Sequence, residues 1–388
     1  MNWECFLSTH LNVRRKEALW RQRNIIEKNN GRTVIFNQRK YINFSSNDYL
    51  GLSHNNAIIN AWKIGLNKYG VGSGSSGHII GYTNAHAALE KQLANWLGYP
   101  KALLFISGYA LNQTVIITLM HKSDYIFADR LTHASLLDAA ILSPATLKRF
   151  AHNQINNLEK FLKTTHQGKT LVVTEGVFSM DGDTSPLLQL QIVTQKRKAW
   201  LLVDDAHGIG VIGSEGKGSS EFHKIKPQLL VITFSKAFGL SGAALLCDEN
   251  VAEYFLQYGR HLMYTTSMPP AQAVALSEAI IQVRQADQLR ENLQRNIFYF
   301  RDLAAKYNFT LLKSNTAIQP LIVGNNQRCL ELSVFLRHKG FWVHAIRPPT
   351  VPNGTARLRI TITANHHLDD IAKLVETLHE FFKNNQDE

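Results

Sequence analysis

The middle of the chain alternates short apolar runs with longer stretches whose apolar positions recur every three or four residues. The runs at 102–106, 125–128, 170–174, 200–203, 229–233 and 243–246 are short and mostly rich in Val, Ile and Leu, so they predict buried strands. Between them, 86–97 has helical length and closes at Gly98 and Pro100, and 110–120 is a second helix of the same kind. Strands alternating with helices predict a mostly parallel sheet covered on both faces. In such sheets ligands bind beyond the carboxyl ends of the strands, so the loops after these runs are where chemistry is expected.

The two ends of the chain have a different texture. Trp3, Phe6, Leu7, Leu11, Ala18, Leu19, Ile25 and Ile26 recur at loosely helical spacing and predict a helix over 3–28, stopped by Asn29, Asn30 and Gly31. Strand-like pieces follow at 33–36 and 41–44. From about 284, Leu289, Leu293, Ile297, Phe300, Ala304 and Tyr307 mark one stripe of a long amphipathic helix. Strand-like pieces at 318–323, 342–346 and 357–363 come next. A last helix carries Ile371, Leu374, Val375, Leu378, Phe381 and Phe382. The predicted division is an N-terminal helix with short strands over 1–45, a large domain over 46–283 and a smaller α+β domain over 284–388.

Composition narrows the class. The 388 residues are 45% hydrophobic, ample for a large core. Cys5, Cys247 and Cys329 are far apart and form no CxxC pair, which argues against a disulfide framework or a cysteine zinc site; no metal is expected. The first residues lack the basic-then-apolar layout of a signal peptide. No apolar run approaches the roughly 20 residues a membrane helix needs. A cytoplasmic protein without membrane contact is the expectation. Net charge is +12, and residues 1–45 alone hold nine Lys or Arg against three Glu. That basic start is either a solvated face or a surface that attracts an anionic partner. No nucleic-acid-binding signature accompanies it, so nucleic acid is not the expected partner.

Three strand ends carry candidate chemistry. The first apolar run leads straight into Asp204, with His207 three residues on; an Asp there can keep a pyridine nitrogen protonated. In the second, 229–233 is followed by Ser235, Lys236 and Gly239. A lysine just beyond a buried strand is suited to a Schiff base, because partial desolvation makes it an amine at neutral pH. The third is Ser107, Gly108 and Tyr109, where a strand meets a helix N-terminus and free N–H groups favour an anion. His133 could stack on an aromatic cofactor, and Ser179 lies in a strand-end loop. Each of these, taken alone, is also an ordinary turn, cap or surface residue. Gly72, Gly74 and Gly77 match G-x-G-x-x-G, but a helical stretch precedes them and no acidic residue lies near 97. They form a loop near the site rather than a dinucleotide fingerprint.

Together the phrases FSSNDYLGLS (44–53), GSGSSGHIIGY (72–82), FISGYALNQ (105–113), TEGVFSMDGD (174–183), VDDAHGIGVIG (203–213), TFSKAFG (233–239), YTTSMPPAQA (264–273) and AIRPPTVPNGTARLRIT (345–361) resemble the α-oxoamine synthase family of pyridoxal 5′-phosphate (PLP) enzymes. The resemblance spans roughly residues 20–383. It implies the fold-type I PLP-dependent transferase architecture, an α/β fold whose large domain holds a mostly parallel seven-stranded sheet beside a smaller α+β C-terminal domain. It implies PLP on Lys236, Asp204 at the pyridine nitrogen, His207 at the phenolic oxygen, His133 stacked on the ring and Ser179 beside it. Gly108, Tyr109 and Thr233 would hold phosphate, with Thr265 or Thr266 reaching the phosphate of a neighbouring subunit. A homodimer with shared active sites follows. Asn47 and Arg359 would hold an amino-acid carboxylate, and Arg21 and Thr350 the acyl substrate. The loop at 72–82 and the proline-rich phrase point to the biotin-pathway branch. There L-alanine condenses with a pimeloyl thioester of CoA or acyl-carrier protein, with loss of CO2. The alternative is a sibling synthase using glycine and a short acyl-CoA.

Overall fold

Seven strands build the central sheet, in the spatial order Lys101–Phe105, Ala243–Cys247, Leu229–Thr233, Trp200–Asp204, Thr170–Glu175, Tyr125–Asp129 and Thr146–Phe150. Ala243–Cys247 runs antiparallel to both of its neighbours, and the remaining pairings are parallel. The expected mostly parallel, seven-stranded sheet is therefore present. Every residue of Leu229–Thr233 and Ala243–Cys247 is buried, as strands covered on both faces must be, and this is why they read as unbroken apolar runs. Thr146–Phe150 lies at the sheet edge, half exposed and carrying Lys148 and Arg149. Such an edge strand has no apolar pattern, and the sequence gives no strand there.

The structure is a computed structural model that describes residues 2–164 and 167–384. It divides into two units. The first comprises Leu52–Ser179 and Thr184–Gln288 and contains the seven-stranded sheet. Helix Gly108–Leu119 follows the strand Lys101–Phe105 after a two-residue turn. Leu111, Val115 and Ile116 of this helix join Phe105, Ile126, Leu136, Val173, Leu202, Val231 and Leu245 in one buried core. Parallel register brings strand ends level: Glu175 lies opposite Asp204, and Asp204 opposite Val231. One edge of the sheet thus gathers Glu175, Asp204 and Thr233.

The second unit comprises Met1–Gly51, Met180–Asp183 and Leu289–Glu388. Lys28–Asn29, Thr33–Phe36, Arg39–Asn43 and Phe341–Trp342 form a four-stranded sheet, and Ile318–Gly324, Ala356–Thr361 and Ala345–Ile346 a three-stranded one. The single strand expected over 342–346 is therefore two short strands serving different sheets. Helix Leu368–Asn384 buries Ile371, Leu374, Val375, Leu378 and Phe381, the stripe its periodicity predicts. The N-terminal helix runs over Trp3–Lys16 and stops well short of 28. Ala18 turns left-handed at φ 55°, and the N–H groups of Ala18 and Leu19 bond back to the carbonyls of Arg15 and Arg14 at 3.3 and 2.9 Å. This is a Schellman closure without its usual glycine, so the sequence carries no stop signal there. Among the described residues, no helix is long and apolar enough to cross a membrane.

Candidate active site

The strand Leu229–Thr233 delivers Lys236. Phe234 and Phe238, both fully buried with ring centroids 5.4 Å apart, anchor the turn on either side of it. The turn closes with the Gly239 N–H on the Lys236 carbonyl at 2.9 Å. Gly239 has φ 69°, and a Cβ there would lie 2.3 Å from the Ser53 backbone nitrogen, so only glycine fits. Lys236 is half-buried, and its Nζ donates to Thr233 Oγ1 at 3.4 Å.

Asp204 ends the adjacent strand and is 5% exposed. Its Oδ1 accepts the Ala206 N–H at 3.1 Å, and its Oδ2 accepts from Asn112 Nδ2 at 2.8 Å. The neighbouring Asp205 has a different task. Its carboxylate accepts the Ser219 N–H and hydroxyl, both at 2.6 Å. It sits so close to Gly176, Gly208 and Gly218 that a Cβ on any of them would meet its oxygens within about 2.1 Å. Burial raises its pKa to about 7. Asp205 is a structural knot, whereas Asp204 turns toward Asn112. His207, three residues after Asp204, is buried.

His133 caps helix Ala134–Leu142. Its Nδ1 lies 2.8 Å from Ser135 Oγ and also accepts the Ser135 N–H at 3.3 Å. Ser135 Oγ in turn accepts from Asn112 Nδ2 at 2.9 Å. His133 is exposed on one side, yet the protein around it lowers its pKa through desolvation; the charge of Asp204 opposes this, Lys236 reinforces it and Asp138 opposes it. The Ser135 N–H aimed at Nδ1 favours the neutral ring independently. Glu175 accepts the Ser179 N–H at 3.3 Å. It is driven well above the usual carboxylate range by burial and by the charge of Asp204. Ser179 is buried beside it.

Where strand Lys101–Phe105 gives way to helix Gly108–Leu119, Ser107 Oγ accepts the Ala110 N–H at 3.2 Å as the cap. A Cβ on Gly108 would meet Thr233 Cγ2 at 2.7 Å, so the helix start and the end of the lysine-bearing strand are in close contact. Tyr109 is 44% exposed and donates to Asp138 Oδ2 at 2.6 Å. This unit therefore offers a lysine amine, a buried carboxylate, an imidazole with one open face and a glycine-led helix N-terminus. A pyridine ring bearing an aldehyde and a phosphate requires those groups, and PLP fits them.

The other predicted residues divide between the units. Thr265 and Thr266 belong to the first unit and line, with Ile106 and Ala110, a cavity of about 370 Å³. Thr266 bridges to Ser76, and the Ser73 hydroxyl donates to the Ser267 carbonyl at 2.7 Å, so the glycine-rich loop is tied to this segment. In the second unit, Arg359 Nη1 donates to Asn47 Oδ1 at 3.0 Å and to Thr361 Oγ1 at 3.1 Å. There too Arg21 Nη2 donates to Thr350 Oγ1 at 2.9 Å. Sequence reasoning assigned nothing to Asn112, Ser135, Asp138 and Glu175. Asn112 and Glu175 do stand inside the quoted phrases, but nothing in the pattern marks them.

A profile of the class I and II aminotransferases matches residues 39–378. An 8-amino-7-oxononanoate synthase from Photorhabdus laumondii is 61% identical over 98% of this chain and 100% of its own length. One from Pectobacterium atrosepticum is 57% identical over 98% of both chains. Among solved structures, the serine palmitoyltransferase of S. paucimobilis with a bound PLP–myriocin aldimine superposes with a TM-score of 0.93 at 26% identity, covering 99% of both chains. The 8-amino-7-oxononanoate synthase of Francisella tularensis gives 0.79 at 31% identity over 89% of this chain and 99% of that one. The chain belongs to the class I and II aminotransferase family and, within it, groups with the 8-amino-7-oxononanoate synthases as a PLP-dependent transferase of fold-type I.

Proposed function

We propose that the chain condenses L-alanine with a pimeloyl thioester of CoA or acyl-carrier protein, giving 8-amino-7-oxononanoate, CO2 and the free thiol carrier on the route to biotin. The observation that carries this is the 61% identity to a synthase of that name over nearly the whole chain. A serine palmitoyltransferase that is only 26% identical superposes with a TM-score of 0.93, so fold alone does not choose the acyl group.

When bound, PLP draws electrons away from the amino-acid α-carbon and makes its deprotonation accessible. The chain's residues supply the rest. Lys236 holds the cofactor at rest, and its amine, once displaced, takes the α-proton of alanine as general base. Asp204 keeps a proton on the pyridine nitrogen, His207 bonds the phenolic oxygen and His133 covers the ring, with Ser179 beside it. Gly108, Tyr109 and Thr233 hold the phosphate. Arg359 and Asn47 take the alanine carboxylate, and Arg21 and Thr350 contact the acyl group. Thr265 or Thr266 serves the phosphate of a second copy, making the working unit a homodimer. The α-carbon then bonds to the thioester carbonyl carbon, the C–S bond breaks and the thiolate leaves with a proton. The original carboxylate departs as CO2, and a proton returned to the α-carbon completes the product.

The test is to incubate the holoenzyme with alanine or glycine and each of pimeloyl-CoA, pimeloyl carrier protein, acetyl-CoA and succinyl-CoA, and to weigh the products. Alanine with a pimeloyl donor should give the 8-amino-7-oxononanoate mass. Faster turnover of glycine with a short acyl-CoA would assign the chain to a sibling synthase. Borohydride should fix PLP on the peptide containing Lys236, and a label elsewhere would overturn the assignment of the lysine.

A further inference from the structure

The geometry points to Asn112 and Ser135 as positioning residues that couple His133 to Asp204 and lock the His133 ring in one tautomer. This rests on the reading of Asp204 and His133 given above. Asn112 is 1% exposed on helix Gly108–Leu119, and its Nδ2 lies 2.8 Å from Asp204 Oδ2 and 2.9 Å from Ser135 Oγ. Its Oδ1 is buried and without a hydrogen-bond partner among the described residues. Turning the amide over would set that oxygen against the Asp204 carboxylate, acceptor to acceptor. The carboxylate therefore fixes the amide, and both amide hydrogens are committed.

The proton inventory then runs in one direction. Ser135 Oγ accepts from Asn112, so its own hydrogen points away from Asn112. His133 Nδ1 is 2.8 Å from that oxygen and also faces the Ser135 N–H. Because that N–H faces it, Nδ1 is the acceptor, the hydroxyl hydrogen can turn to it as the second and shorter donor, and the single ring proton sits on Nε2; without the hydroxyl only the long 3.3 Å contact would hold the ring. A ring so held presents the same face and the same N–H each time a cofactor binds. Asp204, in turn, keeps one oxygen on the Ala206 N–H and the other on Asn112, which fixes the carboxylate plane. A buried carboxylate, amide and hydroxyl and the partly open imidazole thus form one line across two helices and a strand, and none of its inner members need touch the cofactor.

The experiment uses the holoenzyme with ¹⁵N-labelled histidine, Ser135→Ala and Asn112→Leu, and PLP titration alongside. In the unsubstituted protein the His133 signals, identified by their loss in His133→Asn, should show a bare Nδ1 and a protonated Nε2. Ser135→Ala should mix the two tautomers. Asn112→Leu should do the same and also raise the PLP dissociation constant about tenfold, roughly the effect of losing one hydrogen bond to a charged group. It should lower kcat much more than it changes KM for alanine. The double variant should be no worse than the poorer single one, because the two act in series. A protonated Nδ1 in the unsubstituted protein would overturn the inference, as would unchanged tautomer and PLP binding in both variants. Ser135→Ala removes one atom and carries the test should Asn112→Leu not fold. Asp204→Asn separates the levels. If it weakens PLP binding while the two variants leave binding and tautomer untouched, only the relay fails. If Asp204→Asn itself has no effect, the reading of the cofactor site falls with it.

Discussion

Gly108 and Thr233 are so close that a Cβ on the glycine would lie 2.7 Å from the Thr233 methyl. Thr233 is 5% exposed and β-branched, so it can yield only by rotating its hydroxyl away from Lys236 or by moving the start of the helix. Gly108→Ala should therefore raise the dissociation constant for PLP about tenfold, or about 1.4 kcal/mol, within the range for overpacking a tight contact. Absorbance titration of the PLP-free protein with PLP measures this. An unchanged constant would show that the contact has no bearing on the cofactor.

Arg359 donates to Asn47 and Thr361 from a single guanidinium nitrogen, which aims the group. A planar fork of that kind suits a carboxylate, and a lysine would present only a point charge. Arg359→Lys should raise KM for alanine by about 10- to 100-fold, the worth of one charged hydrogen bond, and leave KM for the thioester within about twofold. Asn47→Ala should act in the same direction and more weakly, since it removes the orienting contact and leaves the charge. Steady-state kinetics with each substrate varied in turn decides it; equal effects on both substrates would remove Arg359 from the amino-acid site.

What could be read from the sequence followed burial. The strand Leu229–Thr233 is buried at every position, so its pattern survives without any knowledge of neighbours, and Lys236 stands out just beyond it. Thr146–Phe150 was invisible because its partner lies on one side only and its residues can afford to be polar. The overlong N-terminal helix has a similar cause: Ala18 adopts a conformation that glycine usually marks. Within the site, Asp204 and His207 are legible because they sit at the end of a strand. Asn112 and Ser135 are not, because their meaning is a hydrogen bond to residues 92 and 23 positions away. Distinguishing Asp204 from Asp205 also required the three glycines packed on the latter.

Glu90 predicts a pH dependence of stability. It accepts the Tyr82 hydroxyl at 2.6 Å and the Leu104 N–H at 3.1 Å, and burial raises its pKa to about 7 from an ordinary 4.5. The folded state thus holds a proton that the unfolded chain releases above pH 4.5. The associated stability is complete below about 4.5 and is lost as pH rises through about 7. At about 1.4 kcal/mol per pH unit, the loss is at most about 3 kcal/mol. Glu90→Gln keeps an oxygen for both donors and removes the titration. Urea unfolding of both proteins between pH 5 and 8 should show the variant gaining stability relative to the parent as pH rises. A constant difference would mean that Glu90 is ionised throughout.

The helix Trp3–Lys16 buries none of its residues and ends in Arg14, Arg15 and Lys16. Three cations on an exposed helix end attract an anionic partner over a Debye length of about 10 Å at 0.1 M salt. An acyl-carrier protein presents a broad acidic surface, whereas CoA carries its charge on a few phosphates, so the former should feel this end more. Changing all three to Gln should lower kcat/KM for pimeloyl carrier protein several-fold at low salt, with a smaller effect for pimeloyl-CoA, and the difference should vanish at high salt. Gln is preferable to Glu because negative charge in the last turn would also oppose the helix dipole and unwind the end. Circular dichroism of a peptide spanning the helix would be a poor control, since a 14-residue helix is marginal in isolation. The salt series on the intact enzyme serves instead. A reduction that persists at high salt would assign these residues to the packing of the N-terminal segment, and no reduction at low salt would remove the helix from the path of the carrier altogether.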